Sequence, residues 1–299
     1  MAQPSAPRHP LLRPGVRAVR RDRDHLQIGV GRSAVIAADT PEVRALLTSL
    51  ESAQPIAATT PAALACFAAL LERGQLVDAD AYFHELPPDP RAQQARSALF
   101  AHHPADATWR LAARAAAGIA VLAEPRMVDQ AAQARELLAL AGIRAGSRKP
   151  SAALVLVGGE IRRAHLDRLV QSGTAHLLIT ESEGAVRLGP FVEPGSTACL
   201  RCIDAALGED DPRRALVVEQ HAGHRGSGPV APPHDPALRL IALSMAVVDL
   251  AAYVDGDRPL TWSATIEVTP DLALARTGWK RHPRCGCSWG NELPVADVG

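Results

Sequence analysis

The chain has 299 residues, and 32 Lys and Arg balance 32 Asp and Glu. That length suggests two domains, and zero net charge excludes a global attraction for nucleic acid or other polyanions. With aromatic residues at 3% against a hydrophobic total of 47%, the core is expected to be aliphatic. The opening residues, MAQPSAPRHPLLRPG, hold no apolar run of the signal-peptide kind. The longest apolar stretch, Leu240 to Val254, is interrupted by Ser244 and Asp249. At about fifteen residues it is too short to cross a bilayer and predicts a buried helix. A soluble cytoplasmic protein without a membrane partner is expected.

Residues 1–15 are Pro-rich and expected to be loose. Val16–Arg20, Leu26–Val30 and Ser33–Ala37 predict short strands. Thr40-Pro41 and Thr60-Pro61 each start a helix, with a capping hydroxyl and a proline in the first position. Val43, Leu46, Leu47 and Leu50 form the stripe of the first helix; Leu64, Phe67, Ala68 and Leu71 are the expected stripe of the second. Cys66, inside that second helix, reads as a core thiol. Gly74 stops the helix, and Gln75–Asp78 reads as a short strand or wing. The pattern predicts a winged-helix-like α+β domain over residues 1–85.

Arginines 8, 13, 17, 20, 21, 23 and 32 crowd the start of this domain against Asp22 and Asp24. They form either a solvated face or a surface for an acidic peptide. DNA is disfavoured because the helix from Pro61 to Arg73 has a single Arg, where a reading helix is basic. Peptide binding along a strand edge fits better, and Arg17, Arg20, Arg21 and Arg23 are the candidate contacts.

Residues 86–108, Pro-rich and without an apolar period, read as a linker; His102 and His103 fall there. Strand and helix patterns then alternate, which implies a mostly parallel sheet with helices on its faces. The predicted strands are Gly118–Ala123, Ala152–Val157, His176–Thr180, two short pieces at Val186–Leu188 and Phe191–Glu193, and Trp262–Thr269. The predicted helices are Val128–Ala141, Ala164–Ser172 and Pro236–Val254. Residues 203–236, with His221, His224 and His234, read as a long irregular region. This α/β domain is placed at 109–290, and 291–299 is expected to be a disordered tail.

Cys199 and Cys202 form a C-x-x-C pair, and Cys285 and Cys287 a C-x-C pair with Gly286 between them. Two short-spaced pairs brought together make the tetrahedral thiolate cage that Zn²⁺ accepts most readily. Two disulfides or unrelated thiols are the alternatives, and nothing in the chain points to an oxidising compartment. A closed four-sulfur site leaves no open coordination position, so its role would be structural.

The runs GPFVEPGSTACLRCIDA from Gly189, DPALRLIALSMAVVDLAAYVDG from Asp235 and WKRHPRCGC from Trp279 resemble the ThiF-like partner proteins of YcaO cyclodehydratases, of the MoeB/ThiF superfamily. These proteins serve the biosynthesis of thiazole/oxazole-modified microcins, a bacteriocin class of ribosomally made modified peptides. RPGVRAVRRDRDHLQIGV from Arg13, with the two helices and GQLVD after it, is similar to their peptide-binding module, the RiPP recognition element. The resemblance covers nearly the whole chain and implies a ThiF-like Rossmann-type α/β domain used as a scaffold. It implies a first domain that grips a leader peptide by strand addition, a separate ATP-using YcaO enzyme as partner, and a possible homodimer, since such folds commonly pair.

The chain departs from an ATP-using member at one place. After the strand GIAVLA, the stretch Glu124-Pro125-Arg126-Met127-Val128-Asp129 has no glycine. Pro125 removes a backbone donor and Glu124 repels phosphate. No acidic residue clearly ends the next strand to hold a ribose, and 142–150 is too short and polar for a full strand with its turn. Glu160, after Gly158-Gly159, reads as a surface charge rather than a metal ligand. Cys66 lies in the wrong domain for a catalytic cysteine. The nucleotide site is read as lost, and the expected function is a non-catalytic, leader-peptide-binding scaffold. An active ATP-dependent adenylyltransferase is the main alternative, and a DNA-binding regulator a weaker one.

Overall fold

The computed structural model describes residues 7–56, 58–223 and 233–288. The expected tail 291–299 and His224 lie outside the described residues. The chain forms two compact units that divide between Ala112 and Ala113.

In the N-terminal unit, β1 (Pro10–Leu12) pairs antiparallel with β5 (Leu76–Asp78). Residues 10–12, expected to be loose, are therefore a strand. Strand alternation sends Leu12 into one buried cluster and Leu11 into another. A second sheet holds β2 (Ala18–Arg20), β3 (His25–Ile28) and β4 (Val35–Ala38) in that order, all antiparallel. Leu26, Ile28, Val35 and Ala37 point into the core, whereas Val19, Gln27 and Ile36, in register across the sheet, share the open face.

Helix α1 (Pro41–Glu51) begins as its sequence dictates: Thr40 Oγ1 accepts from Val43 N at 3.3 Å, and Val43, Leu46, Leu47 and Leu50 are buried. Helix α2 (Pro61–Glu72) uses the same cap, with Thr60 accepting from Ala63 N. Its buried face is Ala63, Cys66 and Leu70, not the expected stripe; Leu64 is 52% exposed. A helix apolar almost all round has no polar face to fix its phase, so the sequence alone could not orient it. Cys66 does lie in the core, and burial pushes its thiol up from the ordinary value.

Helix α3 (Ala79–Phe83) is capped by Asp78. The segment expected as a linker holds α4 (Pro90–His102), and α5 (Ala107–Ala116) follows. Asp89-Pro90 is the same start device as Thr40-Pro41, with Asp89 accepting from Arg91 N. The apolar period is hard to see because α4 buries only Leu99 and Phe100, which pack with Leu11, Val77, Ala79 and Ala107. Arg96 on α4 donates to the carbonyls of Ala81, His84 and Glu85. It thereby satisfies acceptors that the end of α3 would leave open.

The C-terminal unit is built on a seven-stranded sheet in the order β12-β11-β10-β9-β8-β6-β7. The strands are β6 (Gly118–Ala123), β7 (Arg144–Ala145), β8 (Ala152–Val157), β9 (His176–Ser182), β10 (Ala185–Val192), β11 (Ala264–Val268) and β12 (Ala275–Gly278). The sheet is mixed: β7, β6, β8 and β9 are parallel, and β10 to β12 continue antiparallel. β12 was not predicted, and its four residues are all exposed, so it carries no apolar signal. The two pieces expected around Gly189-Pro190 are one strand, β10, with a register irregularity between Leu188 and Phe191. Gly189 is required there: its φ is +94° and a Cβ would lie 2.4 Å from the Ala264 carbonyl oxygen.

Helices α6 (Val128–Leu140) and α10 (Pro236–Val254) pack on one sheet face, over Leu154, Leu156, Leu177 and Ile179. Helix α7 (Arg163–Gln171) packs on the other, where Leu166 meets Val155, Val157 and Leu178. Every residue of β8 is buried, the mark of a parallel strand covered on both faces. α10 has 19 residues and is apolar and long enough to cross a membrane by composition, but its Leu238, Ala242, Leu243, Ala246 and Leu250 are buried in the sheet's core cluster. Asp249, the charge within it, is also buried; it accepts from Leu260 N at 2.8 Å, Thr261 N at 2.9 Å and Thr261 Oγ1. The region 203–236, expected to be irregular, contains most of α8 (Leu200–Leu207) and all of α9 (Arg214–Gly223). Among the described residues of α9 only Val218 is buried, too little to set up a readable period.

Candidate functional site

The first cysteine pair sits where β10 ends. Thr197 Oγ1 accepts from Glu193 N at 2.7 Å and tightens the turn, so that Cys199 becomes the residue before α8 and Cys202 falls in its first turn. The second pair follows β12. Ser263 ties the two limbs together: its Oγ accepts from Ala198 N at 2.9 Å and its carbonyl from Trp279 N at 2.7 Å. Cys285 N then bonds to His282 O, and a short 3₁₀ turn carries Cys287.

The four sulfurs all lie within 4.8 Å of one another. Individual separations are 3.8 Å for Cys199–Cys202, 3.6 Å for Cys199–Cys285 and 3.4 Å for Cys202–Cys287. A tetrahedron with Zn–S bonds of about 2.3 Å has edges of about 3.8 Å; a disulfide would bring sulfurs to about 2.05 Å. All five cysteines are free thiols. The donor set fits zinc in number, softness and spacing. Cys199, Cys202 and Cys285 are buried and Cys287 half-buried, which leaves the cage closed. Hydrogen bonding from Cys199 lowers Cys202 to about 4 and raises Cys199 itself, and burial pushes Cys285 up to about 12.

A second layer braces this cage. Arg284 N donates to His282 Nδ1 at 3.2 Å, which places the proton of the ring on Nε2, 3.1 Å from Glu209 Oε1. Arg284 Nη2 donates to the same oxygen at 3.0 Å. Among the described residues the four cysteines are the one group of three or more metal-ligating side chains close enough to hold an ion. His221 is exposed on α9, and His234 lies 2.7 Å from Glu181, which Arg239 also holds.

The opposite end of the parallel strands is where an α/β sheet usually takes its ligand. The chain leaves β6 toward β7 and leaves β8 toward β9, so the strand order reverses between β6 and β8, and a crevice opens there. Here it is lined by Leu122, Val155, Val157, Ile161, Leu166 and Leu169 and measures about 190 Å³. The donor at its head is in use: Gly158 N donates to Glu124 Oε2 at 3.2 Å, and Arg126 Nε sits 3.6 Å from that oxygen. A Cβ on Gly158 would come within 2.8 Å of Arg126 Cδ, so the glycine serves to admit Arg126. Glu160 is likewise engaged. It pairs with Arg163, which is buried and grips Asp204 on α8 through two bonds of 2.6 and 2.9 Å. The sequence reading missed Arg163, Asp204, Glu209 and Asp249. A lone charge inside an apolar run is the signal that would have marked Asp249, because a buried carboxylate must find donors.

In the N-terminal unit Arg20, Arg21 and Arg23 line one surface hollow together with Asp22, and the four candidate arginines differ in the sheet face they belong to. Arg17 and Arg21 share parity with Val19 and belong to the open face; Arg21 reaches Gln27 Oε1 there at 2.5 Å. Arg20 has the opposite parity, bonding Asp22 O and approaching Asp39 at 3.9 Å. Arg23 lies in the β2–β3 turn, exposed.

No family model and no curated protein matches the sequence. Solved structures do match the fold. The heterocyclase TruD superposes with a TM-score of 0.68 at 15% identity, over 94% of this chain and 42% of that one. E. coli MccB with MccA-N7isoASN gives 0.57 at 13% identity, over 93% of this chain and 99% of that one. E. coli MccB with ATP gives 0.55 at 13% identity, over 93% and 99%. The chain thus spans less than half of TruD and nearly all of MccB. It shares the mixed α/β fold of these two proteins.

Proposed function

We propose that this chain is a zinc-stabilised, non-catalytic scaffold that binds the leader of a precursor peptide and presents it to a YcaO-type cyclodehydratase in the cytoplasm. The N-terminal unit is then a winged-helix-type recognition module, and the product a thiazole/oxazole-modified peptide. The carrying observation is the self-satisfied turn at the strand reversal. Glu124 takes the Gly158 N–H, and Pro125 withholds a second donor just where phosphates need backbone amides. The fold shared with a heterocyclase and with MccB, solved with MccA-N7isoASN, supports the reading, as does the basic open sheet of the first unit. Cys199, Cys202, Cys285 and Cys287 would hold the ion, which when bound supplies a crosslink rather than a reactive centre. Pairing of two copies is part of the proposal and is checked by sedimentation.

A second reading, an ATP-dependent adenylyltransferase that activates a carboxylate, is favoured by the likeness to MccB with ATP. The two readings part in one experiment. The scaffold should give no ATP–pyrophosphate exchange with any peptide, and should lower the KM of a YcaO-type enzyme for its precursor. Peptide-dependent exchange would overturn it in favour of the second reading.

A further inference from the structure

The free edge of β2 carries a chemical pattern. Arg17 O accepts from Gly29 N at 2.9 Å, and Arg21 N donates to His25 O at 3.0 Å. Arg17 and Arg21 therefore turn their backbone bonds toward β3, and so does Val19 midway between them. The alternation of an antiparallel ladder then aims the N–H and C=O of Ala18 and Arg20 outward. Among the described residues β2 pairs with β3 alone, so these groups form an open edge.

The side chains on the open face at that edge run Arg17, Val19, Arg21. Val19 is 50% exposed, and Ile36, two strands away on the same face, is 53% exposed. Among the described residues neither Arg17 nor Arg21 makes an ion pair with a carboxylate, although Asp22 borders the same hollow as Arg21. Asp22 lies in the turn and is held by His25, and Asp39 lies at the other face, bound by Arg44. Arg17 has no ion pair or side-chain hydrogen bond among the described residues.

A strand added to this edge sets its side chains about 5 Å from those directly opposite, where opposite charges stabilise and like charges repel. We propose that the segment bound here is a peptide strand with the alternating pattern acidic–x–apolar–x–acidic. The carboxylates face Arg17 and Arg21, and a Val, Ile or Leu sits beside Val19. This rests on the peptide-binding reading above and names the chemistry of its ligand. The competing role for such a row is protection: charged edge residues also keep sheets from pairing with one another.

The test uses the full chain and fluorescein-labelled synthetic peptides centred on Glu-Thr-Val-Thr-Glu, read by fluorescence anisotropy. A control of equal composition, Glu-Thr-Val-Glu-Thr, moves one carboxylate to the opposite face. A second control carries N-methyl groups on both Thr residues, which pair with Ala18 and Arg20. The alternating peptide should bind about tenfold more tightly than either control, with affinity falling as salt rises. Arg17→Glu/Arg21→Glu should weaken it by about tenfold, while Arg23→Glu changes it less than about threefold. Circular dichroism checks that the variants stay folded. Equal binding of the shifted control, an unaffected double variant or no binding of any acidic peptide would each overturn the inference. If the double variant still lowers a YcaO-type enzyme's KM for its precursor, the scaffold reading stands and the charge rule alone falls.

Discussion

The two ends of the seven-stranded sheet handle their polar groups in opposite ways. Where β9 starts and β10 ends, four thiols converge with few partners but each other. Where β6 and β8 end, the carboxylates are already engaged: Glu124 by Gly158 and Arg126, and Glu160 and Asp204 by Arg163. The first arrangement is a donor set that could hold an ion; the second is satisfied by its own side chains.

The largest effect should come from breaking the thiol end. Cys199→Ser or Cys285→Ser should lose bound zinc by metal analysis and cost several kcal/mol, because a metal absent from the unfolded chain lends its binding energy to folding. A metal-free variant whose thermal midpoint equals that of the zinc-loaded wild type would contradict the structural-zinc account. At the satisfied end, Arg163→Met leaves the half-buried Asp204 without its cation and Glu160 with only Arg187 at 3.8 Å. Urea unfolding should show a loss of about 3–5 kcal/mol, and Arg163→Met/Asp204→Leu should recover much of it. Full stability in the single variant would mean that the network is not the brace described.

The contrast between the ends also sets what could be read from sequence. The cysteines stood out because their spacing is itself the signal. Caps at Thr40 and Thr60, the stripe of α1, strands β6 and β8, and helix α10 were legible for the same reason: each combines a local rule with a clear period. What escaped reading lacked one or the other. α2 is apolar on all sides, α9 buries only Val218, β12 buries nothing, and α4 shows its apolar residues only at its last turn. The Arg163–Asp204 and His282–Glu209 contacts join residues far apart in the chain, and no single-sequence period encodes such pairs.

Asp249→Asn sharpens the comparison inside α10. Weakening three bonds to the 260–261 backbone and hydroxyl should cost about 1.5–3 kcal/mol, measured as a lower urea midpoint; an unchanged midpoint would make the carboxylate dispensable. The smallest effect concerns His176, buried at the start of β9 with Nδ1 3.0 Å from Thr174 O. Burial lowers its pKa below the ordinary 6.5. Above that value both folded and unfolded chains hold a neutral ring. As the pH falls below it, the unfolded chain gains a proton that the folded chain does not yet accept, so stability drops. His176→Asn should therefore flatten the loss of stability between about pH 7 and pH 5; an identical slope would remove His176 from that window.

The scaffold account turns most directly on calorimetric titration of the purified, metal-quantified chain with ATP and Mg²⁺. It predicts no heat at millimolar nucleotide from a chain carrying one zinc. Saturable nucleotide binding would contradict it, showing that the Glu124–Gly158 contact opens to admit phosphates.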